Sequence, residues 1–151
     1  MTSIGPTTVT DAAGVRADTD EIREQLAVYM RAMRTRDLDL MAEVFTDDAV
    51  IDYSAIGGSR ASWGATREFL AATLADVQHF LLHVGDVYID FAADHLTARV
   101  ETTWHGVFVP SPGAPPLLVY GSYDDEFRRT PVGWRIAARV DHPAVQLPVT
   151  P

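Results

Sequence analysis

The sequence predicts an α+β fold in which helices cover one face of an antiparallel sheet. Apolar residues recur at helical spacing through the first half of the chain, and the period changes to two after Asp76. Prolines and glycines then separate long alternating segments, as in a meander of strands. Helices first and strands later is typical of domains with the helices on one side of the sheet. A length of 151 residues indicates one domain.

The helical part begins with an amphipathic helix predicted from Asp18 to about Arg36. Its apolar residues share one face: Ile22, Leu26, Tyr29 and Met33. Asp18 with Glu21 three residues later resembles a capping box at the start of this helix. Asp37 is expected to cap a second, shorter helix, and Ser62 a third. The first half of the chain therefore supplies three helices.

Strands fill the rest of the chain, apart from one short strand that lies between the second and third helices. The predicted strands are 49–53, 78–91, 96–109, 117–129 and 134–140. The connector at 110–116 contains four prolines, so it is stiff and cannot belong to a strand. We expect residues 1–17 to form a flexible leader, 18–142 the domain, and 143–151 a Pro-rich tail.

Composition excludes several classes of protein. Twelve Lys and Arg against 21 Asp and Glu give a net charge of −9, which disfavours binding to nucleic acids and anionic membranes. The absence of Cys excludes disulfides, thiolate zinc sites and Cys nucleophiles. Because no secretory signal or membrane span is visible, we expect a soluble, cytoplasmic protein.

Metal, phosphate and hydrolase motifs give no functional assignment. His79 and His83 lie in a predicted strand, where imidazoles four residues apart are ~13 Å from each other, too far to share one ion. The glycines at 57–58 lack the Lys of a phosphate-binding loop, and the chain has no Gly-x-Ser-x-Gly nucleophile motif. We therefore expect no metal and no cofactor.

The remaining signal is a set of polar residues on strand faces that would otherwise be apolar. They are His79, Glu101, Thr103, His105, Tyr123 and Asp125. Buried polar groups need partners, so their presence favours a pocket that binds a ligand. The alternatives are a solvated face, or residues that are satisfied in the core or at a dimer interface. The opposite face carries Trp104, Tyr120, Ser122 and Tyr88, which a sheet-to-sheet homodimer would cover.

The chain resembles the nuclear-transport-factor-2-like superfamily, in its SnoaL-like and scytalone-dehydratase-like branch. The residues that carry the resemblance lie in the first helix and in 37–39, 45–53, 77–80, 103–105 and 133–136. The resemblance covers about residues 18–142. It implies a cone-shaped α+β barrel, in which a curved antiparallel sheet and three N-terminal helices surround a pocket, and frequently a homodimer.

The resemblance to scytalone dehydratase implies three catalytic residues: Tyr53, His79 and His105. A Tyr-Asp pair of that family falls on Met33 and Arg34 here, and its third-strand Asn on Tyr123. Arg34 either points inward to bind an anionic group or lies on the helix surface. Without the family's Asp, His105 is expected to be neutral unless Glu101 or Asp125 reaches it. The expected substrate-binding residues are Tyr29, Met33, Arg34, Thr103, Tyr123, Glu101 and Asp125.

These features together predict a small-molecule enzyme that moves protons without a cofactor. The expected reactions are dehydration, isomerisation or cyclisation, and the resemblance implies a carbonyl-bearing substrate that is polycyclic or polyketide-derived. His79 and His105 would act as base and acid, and Tyr53 would polarise the carbonyl oxygen. The alternative from another class is a non-catalytic module that binds a small ligand or a partner protein. Fold alone does not separate the two.

Overall fold

The structure is a computed structural model that describes residues 12–149. Its helices are α1 (Ala12–Thr35), α2 (Leu38–Ala42) and α3 (Trp63–Leu74), with a short 3₁₀ turn at Ser54–Ile56. Its strands are β1 (Phe45–Asp52), β2 (Arg60–Ser62), β3 (His79–Phe91), β4 (Thr97–Val109), β5 (Leu117–Thr130) and β6 (Gly133–Pro148). The predicted α+β class, with three helices ahead of a long-stranded sheet, is confirmed. Among the described helices, none is long and apolar enough to cross a membrane.

The six strands form one curved, open sheet in the order β2-β1-β6-β5-β4-β3. Strands β3 to β6 form the predicted antiparallel meander, and β2 pairs antiparallel with β1. Strand β1 instead runs parallel to β6, so the sheet is mixed rather than wholly antiparallel. These two strands are far apart in sequence, and no tight turn forces them into opposite directions. The three helices and this sheet form the cone-shaped fold.

Helix α1 packs across the sheet through the predicted apolar face, and Ile22, Leu26 and Tyr29 are all buried. The predicted capping box is wrong, because the helix begins at Ala12 rather than near Asp18. Asp18 instead forms an ion pair with Arg129, with 2.5 Å between the carboxylate and the guanidinium. These residues therefore fix α1 to the β5–β6 hairpin.

The ends of several elements differ from the prediction. Residues 12–17 belong to α1, and residues 1–11 of the predicted leader lie outside the described residues. At the other end β6 continues to Pro148, which pairs with Leu117, although the strand was expected to end at 140. Prolines fit there because β6 lies beside β5 alone along this stretch, so one side of its backbone needs no partner. Asp37 caps α2 as predicted, accepting the Leu40 N–H at 2.9 Å.

Irregularities in the strands decide which side chains face the helices. Between Phe127 and Glu126 of β5, the register with β6 skips Ala137, which is an extra residue of a β-bulge. Trp134 and Ile136 are buried before the bulge, and Arg139 and Asp141 are buried after it. The bulge therefore reverses the alternation of β6 and turns two charged residues toward the inside of the cone.

We expect Gly133→Ala to destabilise the fold by about 2 kcal/mol. Gly133 has φ +105°, and a Cβ there would lie 1.9 Å from Oε1 of Glu21. That oxygen accepts the backbone N–H of Trp134 at 2.9 Å, so its displacement also breaks a link between α1 and the sheet. Urea unfolding measures the loss. Gly113→Ala is the matched control, since Gly113 has φ +78° with no atom near its missing Cβ. An equal loss in both variants would contradict the role given to Glu21.

Candidate active site

An apolar cavity of about 180 Å³ lies between the inner face of the sheet and the helices α1 and α3. Its walls are mainly aliphatic and aromatic, with Met33 from α1, Leu70 from α3 and Leu82 from β3 among them. Few polar side chains interrupt these walls: Tyr29, Tyr53, Thr73, Trp104, Tyr123, Asp141 and Gln146. A concave, mostly apolar cavity with a few convergent polar groups is the usual form of a small-molecule site.

Three buried tyrosines form one polar cluster in the cavity wall. The hydroxyl oxygens of Tyr29 and Tyr53 are 2.5 Å apart and share a hydrogen bond. Tyr123 packs edge-on against Tyr29, with ring centroids 5.8 Å apart. Burial raises the pKa of all three hydroxyls well above the usual value, so each is protonated at neutral pH. Only one proton lies between the two oxygens of the Tyr29–Tyr53 pair, so the pair carries a second proton that it can donate to another acceptor.

Asp141 supplies a carboxyl group to the cavity wall. It is 5% exposed, and its Oδ1 accepts no hydrogen bond from any residue that the structure describes. Burial raises the pKa of this carboxyl to about 6, while Arg139 and the Trp104 indole N–H lower it. The indole approaches the carboxylate without completing a hydrogen bond of normal geometry. At pH 7 Asp141 is therefore largely a carboxylate, and a poorly stabilised one.

A buried ion pair lies behind the tyrosines. Nε and Nη2 of Arg139 each donate to one carboxylate oxygen of Asp125 at 2.7 Å, and both side chains are fully buried. The guanidinium carbon lies 4.2 Å from the ring centroid of Tyr29 and 4.0 Å from that of Tyr123. Burial raises the pKa of Asp125, and the two hydrogen bonds from Arg139 oppose that shift. The Asp125–Arg139 pair is ionised, because a bidentate guanidinium contact needs both carboxylate oxygens as acceptors.

We expect the stability of the fold to fall as the pH rises through 6, because of Asp141. The pKa of this carboxyl is about 6 in the folded protein, against about 3.9 for an Asp in an unfolded chain. Between these values the folded state binds more protons, so the stabilisation is complete below pH 4 and is lost above pH 6. The full difference is about 3 kcal/mol. Urea unfolding of the wild type and of Asp141→Asn from pH 4 to 8 measures it. A pH-independent difference between the two proteins would contradict it.

Four of the predicted site residues line the cavity: Tyr29, Met33, Tyr53 and Tyr123. Asp125 is buried but does not line the cavity, because it is paired with Arg139 beyond the tyrosines. Asp125 does not lie beside His105, so it is not a carboxylate that takes the place of the family's Asp there. Arg34 is exposed, which decides between its two predicted orientations in favour of the helix surface.

The expectation that His79 and His105 point inward is wrong. Both are exposed on the outer face of the sheet, as is Glu101. The ring of His105 instead lies 5.7 Å from that of His83, its partner on β3. Thr103 also lies on the outer side, where its Oγ1 accepts the backbone N–H of Asp86 at 2.8 Å. The cause is the alternation of β4, whose apolar set rather than its polar set faces the helices.

Trp104 belongs to that inner set, so its predicted place on the outer face is also wrong. It is 7% exposed and lines the cavity, whereas Tyr88 and Tyr120 are exposed as expected, and Ser122 is half-buried. The sheet-to-sheet homodimer stays a prediction. Among the described residues, no group of three or more His, Asp or Glu could hold a metal ion.

Sequence reasoning missed Asp141 and the inward position of Trp104. Asp141 lies one residue beyond the predicted end of the last strand, so no face was assigned to it. The size and apolar character of Trp104 were a usable signal, since on β4 it alternates with Glu101, Thr103 and His105. For Asp141 the sequence offers no comparable signal, because the bulge at Ala137 decides its direction.

Comparison with known proteins places this geometry in a family. A family model described as a SnoaL-like domain matches residues 15–140. The uncharacterized protein Rv2910c of Mycobacterium tuberculosis is 33% identical over 126 residues, covering 83% of this chain and 84% of that protein. A nuclear transport factor 2 (NTF2-like) superfamily protein from Salmonella enterica has a TM-score of 0.75 at 20% identity, covering 87% of this chain and 94% of its own.

Solved structures from two Novosphingobium species share the fold as well. A candidate aromatic ring hydroxylase from Novosphingobium aromaticivorans has a TM-score of 0.78 at 26% identity, covering 89% of this chain and 94% of its own. A candidate scytalone dehydratase from the same species has a TM-score of 0.80 at 16% identity, covering 91% of each chain. The hexachlorocyclohexane dehydrochlorinase LinA-type3 from Novosphingobium barchaimii has a TM-score of 0.82 at 13% identity, covering 92% and 94%.

The likenesses to the Salmonella enterica protein, the candidate scytalone dehydratase and the dehydrochlorinase are all below 25% identity and concern the fold alone. The family match spans most of the chain and agrees with the helices, the curved sheet and the cavity described above. It confirms the resemblance found in the sequence. The chain belongs to the SnoaL-like domain family.

Proposed function

We propose that the protein is a small-molecule lyase or isomerase in which Asp141 is the general base and the Tyr29–Tyr53 pair stabilises an oxyanion. The observation that carries this proposal is the buried Asp141 carboxylate in the wall of an apolar cavity, whose Oδ1 accepts no hydrogen bond of normal geometry from residues 12–149. The family match and the enzymes among the solved proteins of similar fold support this general class. Asp141 replaces His79 and His105, which are exposed on the other side of the sheet.

A carboxylate in this environment is suited to removing a proton from carbon. Its pKa of about 6 leaves it ionised at neutral pH while making it a stronger base than an exposed Asp. Apolar walls exclude the water that would otherwise stabilise the carboxylate before reaction. The side chain can therefore take a proton from a carbon next to a carbonyl group.

The tyrosine pair is suited to receive the charge that this step creates. When Asp141 removes the proton, the C–H electron pair forms a C=C bond and the π electrons of the carbonyl group move to its oxygen. The product is an enolate with its negative charge on that oxygen. The pair holds one proton that is not used between its own oxygens, and it can donate that proton as a hydrogen bond to the enolate. The guanidinium of Arg139, 4.2 Å from the Tyr29 ring, favours negative charge at this position.

Two outcomes of the enolate complete the reaction without another group. Where the carbonyl compound carries a β,γ double bond, the enolate is a dienolate, and protonated Asp141 can return its proton to the γ-carbon, which brings the double bond into conjugation and is an isomerisation. It can instead protonate a hydroxyl on the β-carbon, so that water leaves and a conjugated carbonyl forms, which is a dehydration. Solved proteins of similar fold include a hexachlorocyclohexane dehydrochlorinase and a candidate scytalone dehydratase. We therefore propose elimination or isomerisation of carbonyl compounds, with polyketide-like compounds among the substrates.

Deuterium exchange tests the proposed function without knowledge of the natural substrate. The wild type is incubated in D₂O with a panel of enolisable ketones of one to four rings, and proton NMR follows the loss of the α-proton signals. We expect catalysed exchange into at least one ketone, with a rate that rises as the pH passes through about 6. No exchange above the buffer rate in any member of the panel would overturn the proposal. It would favour the non-catalytic binding module instead.

We expect Tyr53→Phe to lower the exchange rate by about 10²-fold, because it removes one of the two hydroxyls that face the developing oxyanion. Tyr29 remains as a donor, so activity should be reduced rather than abolished. Tyr88→Phe is the matched control, since Tyr88 is 69% exposed on the outer face. An unchanged rate in Tyr53→Phe would exclude the tyrosine pair as the oxyanion site.

A further inference from the structure

The position of Trp104 depends on a glycine in the neighbouring strand. Trp104 on β4 pairs with Gly121 on β5, and a Cβ on that glycine would lie 2.2 Å from Cζ2 of the indole. The indole therefore lies directly over the Gly121 backbone, where any side chain would displace it. It is 7% exposed and forms part of the cavity wall.

This arrangement sets how far the cavity extends toward the sheet. The indole lies against the backbone of Gly121, so a smaller side chain at position 104 would open the space that the indole fills. With the indole in place the cavity volume is about 180 Å³. An apolar cavity of about 150 Å³ is known to hold one benzene molecule. The present volume therefore suits one six-membered ring with small substituents.

The rest of the cavity wall indicates where the substituents of such a ligand would leave the cavity and which charge the ligand can carry. Ile56 and Val145 line the cavity and are 41% and 42% exposed, which identifies the open end where longer substituents would emerge. Asp141 is the charged side chain of the wall, since Arg139 lies behind the tyrosines and is paired with Asp125. The carboxylate repels anions, and apolar walls do not replace the hydration that a buried cation would lose, so the ligand should be neutral.

We propose that Trp104, seated on Gly121, is the specificity-determining residue of the cavity and limits its substrates to neutral compounds that bury a single ring. This inference rests on the proposed function, because it names the substrate class of the same site. It differs from the polycyclic ring systems that the sequence resemblance suggested. It predicts that position 104, rather than the base or the tyrosines, controls the number of rings that bind.

Calorimetric titration with two neutral probes tests the size limit. The probes are phenol, which has one ring, and 9-phenanthrol, which has three fused rings. We expect the wild type to bind phenol at least tenfold more tightly than 9-phenanthrol. In Trp104→Leu the affinity for 9-phenanthrol should rise at least tenfold. Thermal unfolding checks that the variant is folded, and Trp104→Phe, a smaller change, should shift the ratio of affinities in the same direction if Trp104→Leu does not fold.

The matched control is Trp63→Phe. Trp63 stacks on Phe45, with ring centroids 5.2 Å apart, and is not part of the cavity wall, so both affinities should stay unchanged. Equal binding of the two probes to the wild type would overturn the size limit. So would an unchanged ratio in both Trp104 variants, or no binding of either probe.

These outcomes are separable from the fate of the proposed function, which deuterium exchange decides. If exchange occurs and requires Asp141 while 9-phenanthrol binds as well as phenol, the function stands and the size limit fails. If the size limit holds and no ketone exchanges, the cavity selects single-ring ligands without reacting with them.

Discussion

Asp141→Asn is expected to lower the rate of deuterium exchange by a factor of about 10² to 10⁴, because it removes the general base. The two side chains have nearly the same shape, so the cavity and the tyrosine pair should be preserved. The variant should also be more stable than the wild type at pH 8, since burial raises the pKa of Asp141 to about 6 and the ionised form destabilises the fold. Exchange rates by NMR and urea unfolding measure the two effects together.

The matched control is Asp124→Asn, which makes the same chemical change at a residue of the neighbouring strand. Asp124 is 39% exposed in its side chain and lies 3.3 Å from Nε2 of His142. This control should keep the wild-type rate and its rise through pH 6. A wild-type rate in Asp141→Asn would refute Asp141 as the base. Loss of activity together with loss of stability would indicate a structural role rather than a catalytic one.

Most of the fold could be predicted from the sequence because its signals are local. The apolar face of α1 includes Ile22 and Leu26, and both are buried as the helical spacing predicted. Period-two alternation located β3, β4 and β5 to within a residue or two. Strand β2 was missed, since three residues between a turn and a helix carry no detectable period. The parallel pairing of β1 with β6 depends on contacts distant in sequence.

The candidate site was harder to predict, because alternation groups residues by face without saying which face is covered. On β4 the grouping of His105 with Glu101 was right, and the choice of their face as the inner one was wrong. The resemblance to scytalone dehydratase favoured the histidines, whereas the free energy of burial favours the set with Trp104 and Phe108 inside. Tyr53 was placed in the cavity as expected, since it follows a short strand beside the helices.

Asp141 illustrates a different limit of sequence reasoning. Continuing the alternation from Trp134 and Ile136 would direct Arg139 and Asp141 outward, where charged residues normally lie. The extra residue Ala137 reverses this direction and buries both of them. A bulge of one residue is not visible in the pattern of apolar residues, so the ionisable residue with the most strongly supported role was the least predictable.

Loss of the Asp125 carboxylate should have the largest effect on stability. We expect Asp125→Ala to destabilise the fold by about 3–5 kcal/mol, because Arg139 would remain buried and charged without its partner. Such a loss is a large part of the total stability of an ordinary domain. Urea unfolding at pH 7 measures it. Asp48→Ala is the control, since Asp48 forms an exposed pair with Arg128 at 3.1 Å, and its loss should destabilise the fold far less. Similar losses in the two variants would contradict the importance of the buried pair.

Replacing both members of the pair separates its contribution to stability from its contribution to catalysis. Asp125→Leu with Arg139→Met removes the two charges together and leaves apolar side chains, so much of the lost stability should return. The exchange rate should nevertheless stay well below that of the wild type. The Arg139 guanidinium, 4.2 Å from the Tyr29 ring, opposes the rise in the pKa of Tyr29. Without it the Tyr29–Tyr53 pair is a weaker hydrogen-bond donor to an enolate. A double variant that is stable and fully active would limit Arg139 to packing. One that is stable and slow would assign it an electrostatic role behind the tyrosines.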